Sequence, residues 1–229
     1  MPFTLTSIVP WGRSFGEYQR MFALSEADLG RTILGCADGP ASFNAEATRR
    51  GMRVASCDPM YRFSGDEIRG RVEAVYSEMM EQTRRNASEF IWKEFASAEA
   101  LGEARMGAMR LFLDDYEAGT RAGRYVAAES PTLPFAHASF DLALCSHFLF
   151  LYTEQLSEAF HLATIRDLCR VAREVRIFPL VAVGSGRSRY VETIVPTLRA
   201  DGYRVDIERV PYEFKRGANE MMRAGRSQR

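Results

Sequence analysis

The stretch Ile33-Leu34-Gly35-Cys36-Ala37-Asp38-Gly39-Pro40, with the acid Asp58 that closes the next apolar run, decides how the chain is organised. A short apolar strand, a glycine-containing turn, a helix beginning near Pro40 and a second strand ending in an acid make one βαβ half of a nucleotide-binding sheet. Gly35 and Gly39 let the backbone turn sharply and approach a ligand closely. A carboxylate at the end of the second strand accepts hydrogen bonds from ribose hydroxyls. Such turns also join strands and helices in sheets that bind nothing, so the flanking segments must decide.

Outward from this unit, Phe15, Tyr18, Met21 and Phe22 fall at helical spacing, and Ser25 with Asp28 reads as a short helix start. Arg31 to Leu34 reads as the first strand, Pro40 to Arg50 as a helix stopped at Gly51, and Met52 to Cys57 as the second strand. From residue 62 to 122 the pattern turns helical without a strand, with Ser64 or Asp66 capping one helix and Ser97 another, and the aromatic cluster Phe90-Ile91-Trp92 between them. A single crossover helix needs far fewer residues, so 62–122 is an insertion or a lid within one domain spanning 1–229. Strands then follow at Tyr125 to Ala128, Phe140 to Cys145 and Glu174 to Val183, the last running into Gly184-Ser185-Gly186. Helices are expected over Glu154 to Ala172 and Ser188 to Ala200, and Tyr203 to Val210 with Ala218 to Ala224 as a closing antiparallel hairpin. The alternation predicts an α/β, doubly wound, mostly parallel Rossmann-like sheet with an antiparallel edge.

Thirty basic residues balance thirty acidic ones, so no net field draws the chain to nucleic acid or to anionic lipid. Cys36, Cys57, Cys145 and Cys169 are widely spaced and form no CxxC pair, which suggests neither a metal site nor a disulfide framework; each reads as a small buried apolar side chain. Met1 to Ser7 lacks the basic start and apolar run of a signal peptide, and no stretch is long enough for a membrane span, so a cytoplasmic protein is expected. Nothing in the sequence sets an oligomeric state.

With these pieces in order, the chain resembles the class I S-adenosylmethionine-dependent methyltransferases, in particular the small-molecule group labelled type 11. Leu34-Gly35-Cys36-Ala37-Asp38-Gly39 resembles the family's glycine motif, and Cys57-Asp58-Pro59 falls where the family places its ribose-binding acid. Ala128-Glu129-Ser130 falls at the position of an acid that receives the adenine amino group, and Ser139 to His147 is similar to the fourth-strand motif. The resemblance spans nearly everything outside 62–122 and implies a seven-stranded sheet, S-adenosyl-L-methionine as cofactor and a small-molecule acceptor. It assigns the cofactor to Gly35, Cys36, Ala37, Gly39, Asp58, Pro59, Met60, Glu129, Ser130, Cys145 and Ser146. Three positions depart: Ile33 stands where an acid is frequent, Ala37 replaces the middle glycine, and Glu129 replaces aspartate. Alanine is strained where a turn needs positive φ and tolerated where only close approach is needed; the second case is expected for Ala37. The missing acid at Ile33 leaves the cofactor's amino group to backbone carbonyls near Gly35 or Cys145, or to an N-terminal residue.

The resemblance implies a methyl transfer that needs chiefly orientation, and a base if a proton is lost. His147, at the carboxyl end of the fourth strand, reads as that base or as an acceptor-orienting group; a hydrogen-bonded histidine of the pocket wall is the competing reading. Trp11, Arg13 and Tyr18 precede the glycine turn and are placed to close over a substrate, and Tyr152 reads as a substrate-orienting group or as packing. Asp38 reads as a turn former ahead of a substrate-facing acid. Two other functions share the topology. A nicotinamide-dependent oxidoreductase expects a third glycine at a spacing that Gly39-Pro40-Ala41-Ser42 does not supply. A non-catalytic binding or regulatory module would keep the fold, or even the cofactor, without transferring a methyl group.

Overall fold

A computed structural model describes residues 9–184 and 186–226; Met1 to Ser7 and Ser185, both named above, lie outside them. β1 (Thr32–Cys36), β2 (Arg53–Cys57), β3 (Tyr125–Val126), β4 (Phe140–Ser146), β5 (Ala172–Phe178), β6 (Tyr203–Arg209) and β7 (Glu220–Arg226) form one sheet in the order β3-β2-β1-β4-β5-β7-β6. The first five strands are mutually parallel, with Ile33 in register with Val54 on one side and Leu142 on the other. β7 runs antiparallel to both neighbours, pairing Ala224 with Val175 and with Val205. The hairpin forms as expected, but its antiparallel strand lies inside the sheet, and the edge strand β6 runs in the common direction. β5 stops at Phe178 rather than Val183 because Pro179 has no N–H to continue the ladder.

The helices start where side-chain oxygens cover free amide groups. Ser14 and Glu17 box the start of α1 (Phe15–Met21), Ser25 and Asp28 that of α2 (Glu26–Leu29), and Ser64 and Glu67 that of α4 (Gly65–Arg85). α3 (Phe43–Arg49) begins later than Pro40 because the turn before it is not helical, and Gly51 follows it at φ +79°. Ser97 caps α5 (Ala98–Arg121) and Ser157 caps α6 (Glu158–Val171), which starts after the 3-10 turn Phe150–Tyr152 and not at Glu154. α7 (Val191–Ala200) precedes the hairpin.

The helical segment 62–122 is tied to the sheet at several points. α5 packs on α3 and β3, the place of a crossover helix, while α4 packs on α5. Tyr61, Phe112, Tyr116 and Tyr125 form an aromatic core beneath them, and the Tyr116 hydroxyl donates to the carbonyls of Tyr61 and Phe63, both at 2.9 Å. Between the two helices, Ile91 N–H donates to Phe214 O (2.7 Å) and Phe90 stacks on Phe214 at 4.7 Å, so the β6–β7 loop is strapped to the insertion. Gly102 of α5 admits the close approach of α4, since a Cβ there would lie 2.6 Å from the Tyr76 hydroxyl. Among the described residues no helix is long and apolar enough to cross a membrane.

A buried ion pair joins three parts of the chain. Arg105 of α5 donates from both terminal nitrogens to Glu17 of α1 (2.6 and 2.7 Å), and Tyr212 of the β6–β7 loop donates to the same carboxylate (2.9 Å). Burial alone would push the Glu17 pKa up, but the Arg105 charge and hydrogen bonds outweigh it and hold the group at about 2. The contribution is therefore complete above the ordinary value of 4.5 and drains away as pH falls toward 2. Arg105→Ala should destabilise by about 3–5 kcal/mol in urea unfolding, because a carboxylate is left buried without its partner. Glu17→Gln with Arg105→Met should recover much of that loss.

Candidate active site

At the carboxyl end of β1 the chain reverses with Ala37 at φ +55° and Gly39 at φ +53°, and Ala37 N–H donates to Cys57 O (2.8 Å). Ala37 is thus not a mere close-approach position: an L residue occupies the left-handed region, at a cost of about 1–2 kcal/mol. The reason for Gly35 is local. A Cβ there would lie 1.7 Å from the Asp38 carboxylate, which folds back into the turn, accepting from the Tyr18 hydroxyl (2.8 Å) and the Ser56 hydroxyl (2.7 Å). Burial pushes the Asp38 pKa up to about 7. Asp38 is an internal brace of the turn, and Tyr18, expected to face a substrate, spends its hydroxyl on that brace.

Asp58 ends β2 half-buried, receiving Gly39 N–H on one oxygen (2.9 Å) and Met60 N–H on the other (2.8 Å). Each oxygen keeps a free acceptor direction. Burial, opposed by these two amides, raises its pKa to about 6. Tyr61 locks the far side of the turn by donating to Gly39 O (2.8 Å).

These groups line a cleft of about 680 Å³ that brings together Cys36, Ala37, Gly39, Asp58, Pro59, Met60, Glu129, Ser130 and Ser146 with Trp11, Arg13, Tyr18 and His147. Glu129 is exposed at the rim, where Arg62 approaches to 3.7 Å, and the Ser130 hydroxyl lies 3.8 Å from the Cys36 sulfur. Gly35 and Cys145 do not line the cleft: Gly35 makes room for Asp38, and Cys145 is packed in the core. Ile33 is equally buried, among Phe15, Tyr18 and Phe43, where an acid would be desolvated. Among the described residues no group of three His, Cys, Asp or Glu is arranged to hold a metal ion.

His147 sits at φ +51°, its N–H donating to Phe178 O (2.7 Å) and its ring edge-on to Phe178 at 5.4 Å. Nδ1 pairs with the Ser146 hydroxyl at 3.0 Å. Burial, then the charges of Arg13 and Arg105, hold its pKa well below 6.5, so the ring is neutral near pH 7. Behind it lies a second, inner pocket of about 120 Å³, which shares Val9, Trp11, Arg13 and His147 with the cleft. Tyr152 belongs to this pocket and not to the cleft; its hydroxyl accepts from Val9 N–H (3.3 Å). The N-terminal segment reaches this junction because Gly12 lies flat on the turn, where a Cβ would be 2.1 Å from Pro40 O. Sequence reasoning missed the inner pocket, whose walls come from Phe90, Tyr212, Phe214 and Lys215; the cluster Phe90-Ile91-Trp92 was its visible sign.

The strand order, the internal antiparallel strand and a cleft at the carboxyl ends of β1, β2 and β4 define the class I S-adenosylmethionine-dependent methyltransferase fold. A TehB-like SAM-dependent methyltransferase from Corynebacterium glutamicum shares it, with a TM-score of 0.50 and 11% identity over 93% of this chain and 88% of that one. Magnesium protoporphyrin IX methyltransferase from Synechocystis PCC 6803, crystallised with bound SAM, aligns at a TM-score of 0.44 and 14% identity over 88% of this chain and 73% of that one. No family model matches the sequence. The chain belongs to the same family as the uncharacterized protein MJ0045 of Methanocaldococcus jannaschii, to which it is 33% identical over 220 residues, 95% of this chain and 96% of that protein.

Ala37→Gly should relieve the strained turn and raise stability by roughly 0.5–1 kcal/mol after the extra freedom of the unfolded chain is subtracted. Thermal unfolding of the variant beside the parent reads this directly; an unchanged or lower midpoint would remove the strain argument.

Proposed function

We propose that the chain is an S-adenosylmethionine-dependent methyltransferase acting on a small molecule. The observation that carries this reading is Asp58, fixed by the amides of Gly39 and Met60 at the mouth of a tight turn, with one acceptor direction free on each oxygen. That arrangement suits two adjacent ribose hydroxyls. Cys36, Ala37 and Gly39 line the same cleft and would meet the rest of the cofactor, and Glu129 and Ser130, which also line it, would meet the adenine. An internal antiparallel β7 separates the sheet from the dinucleotide-binding order, in which the sixth strand continues the parallel series.

S-adenosylmethionine supplies a methyl group already activated by its sulfonium, so the protein's share of catalysis is orientation, exclusion of water and acceptance of a proton. The inner pocket favours a small acceptor, because it offers only about 120 Å³ beside the cleft. His147 stands between the pocket and the cleft, neutral and held by Ser146, and is the group placed to orient the acceptor or take its proton. A strained φ maintained at such a junction is the expected mark of a functional residue.

Calorimetric titration with S-adenosylhomocysteine tests the cofactor, with NAD as the control that should give no heat. Asp58→Ala should weaken S-adenosylhomocysteine about 10- to 100-fold, the worth of one or two charge-assisted hydrogen bonds. In the parent, affinity should fall as pH drops through about 6, where Asp58 takes up its proton; unchanged affinity in the variant would refute the ribose assignment. His147→Gly fits the backbone at φ +51°. It should leave S-adenosylhomocysteine affinity within roughly threefold while lowering labelled-methyl transfer into a small-molecule extract by about 100-fold. Transfer at the parental rate would make the ring a wall residue only, and cofactor binding without transfer in the parent would favour a sensor.

A further inference from the structure

The inner pocket carries a charge imbalance. Its walls are largely apolar and aromatic, with Phe90, Leu101, Tyr152, Phe178 and Phe214 prominent among them. Set among these are three cations and one acid: Arg13, Arg105, Lys215 and Glu89. Arg105 is neutralised by Glu17, which leaves two cations against one carboxylate. Lys215 gives its ammonium to the carbonyl of Ala182 (3.0 Å) and, among the described residues, forms no ion pair.

Arg13 is the more telling group. Its terminal nitrogen donates to Trp11 O (2.9 Å), its Nε is buried with no hydrogen-bond partner, and no carboxylate among the described residues pairs with it. The acid nearest in charge, Glu17, has nothing left to offer. One of its oxygens accepts from Arg105 and Tyr212, the other from Arg105 and the Ser14 amide, which uses all four acceptor directions. A half-buried guanidinium without an ion-pair partner of its own is costly, and the molecule keeps this one at the junction of cleft and pocket, beside His147. Burial and repulsion from Arg105 pull its pKa down to about 10, which leaves it charged at neutral pH. The size of the space limits what can answer that charge. About 120 Å³ is close to the ~150 Å³ of an apolar cavity that takes one benzene.

We propose that the inner pocket receives an acceptor with a single aromatic ring or short aliphatic body and one carboxylate, and that this carboxylate pairs with Arg13. The inference rests on the methyltransferase reading, because it takes the shared wall of Trp11, Arg13 and His147 as the place where acceptor meets donor. The carboxylate is recognised by charge and a two-donor guanidinium, the apolar body by the aromatic walls.

The test uses the full chain saturated with S-adenosylhomocysteine and matched pairs of acid and neutral amide: benzoate and benzamide, 4-hydroxybenzoate and 4-hydroxybenzamide, hexanoate and hexanamide. In at least one pair the acid should bind about tenfold tighter than its amide, the return of one charge-assisted hydrogen bond. Arg13→Gln should bring that pair to within roughly twofold while S-adenosylhomocysteine affinity changes less than about threefold. Arg13→Lys, which keeps the charge, should retain a preference and so separates lost pairing from lost folding. Equal binding of acid and amide in every pair, or no binding of any, overturns the proposal. So does an Arg13→Gln variant that weakens S-adenosylhomocysteine but not methylthioadenosine, since the guanidinium would then serve the cofactor's own carboxylate. Failure of the parent to bind S-adenosylhomocysteine at all is a different result, and removes the methyltransferase reading itself.

Discussion

The Glu17 carboxylate is where the separate parts of this protein are made to agree. It accepts both terminal nitrogens of Arg105 from the insertion, the Tyr212 hydroxyl from the β6–β7 loop and the Ser14 amide at its own helix start. Taking two charges out of water is expensive, and only such a fully occupied geometry repays it. The gain is positional. With Arg105 pinned, α5 lies against α3 and β3, and with Tyr212 pinned, the loop carrying Phe214 and Lys215 closes over the inner pocket. Saturation of Glu17 also explains why Arg13, only four residues away in sequence, has no carboxylate of its own.

Among the described residues four that are not glycine sit at positive φ; Ala23 and Ala138 lie away from the cleft, and the other two lie where the sheet meets it. Ala37 follows β1 and His147 follows β4, neighbouring strands, and both sit at positive φ without being glycine. The two have different supports. Ala37 is held by the Cys57 carbonyl and by the Asp38 brace under Gly35, so the turn is rigid before any ligand arrives. His147 is held by Phe178 O and Ser146, both at the ends of strands that end at the same level. A preformed turn on one side and a fixed imidazole on the other spare a ligand the cost of ordering either.

Much of this was legible in the residues and some of it was not, for reasons of range. Apolar runs bounded by Gly, Pro and acids placed every strand boundary but the end of β5 to within a few residues, and caps such as Ser97 and the pair Ser25 with Asp28 placed helix starts, because these signals act over two to four neighbours. The end of β5 was misplaced although Pro179 was in view, since the apolar run continues through Leu180 to Val183 and hides the break. Ala37 gives no sign of its positive φ, because alanine avoids that region and only the Asp38 brace and the Cys57 carbonyl impose it. The Glu17 to Arg105 pair spans 88 positions, and no local pattern distinguishes that arginine from its exposed neighbours. The same range hid the inner pocket, which exists only when Phe90 and Phe214 meet.

The helices of residues 62–122 change what kind of cleft the sheet can offer. At the carboxyl ends of β1, β2 and β4 an α/β sheet presents an open crevice, enough for a cofactor and poorly suited to a small acceptor that water would compete for. Here α4 supplies Val75 and Arg71 to the cleft, while Met79 and Thr83, further along the same helix, reach the inner pocket. One helix therefore walls both compartments, and its far end is tied through Phe90 to the β6–β7 loop. The cleft and the inner pocket share this wall, with Trp11, Arg13 and His147 as the partition. A change that moves α4 must alter both spaces together, and a change on the β6–β7 loop reaches beyond the inner pocket wherever it touches Tyr212, which donates to Glu17, or Phe214, which holds Ile91. Variation that acts on the inner pocket alone is thus confined to side chains such as Lys215, which takes part in neither tie.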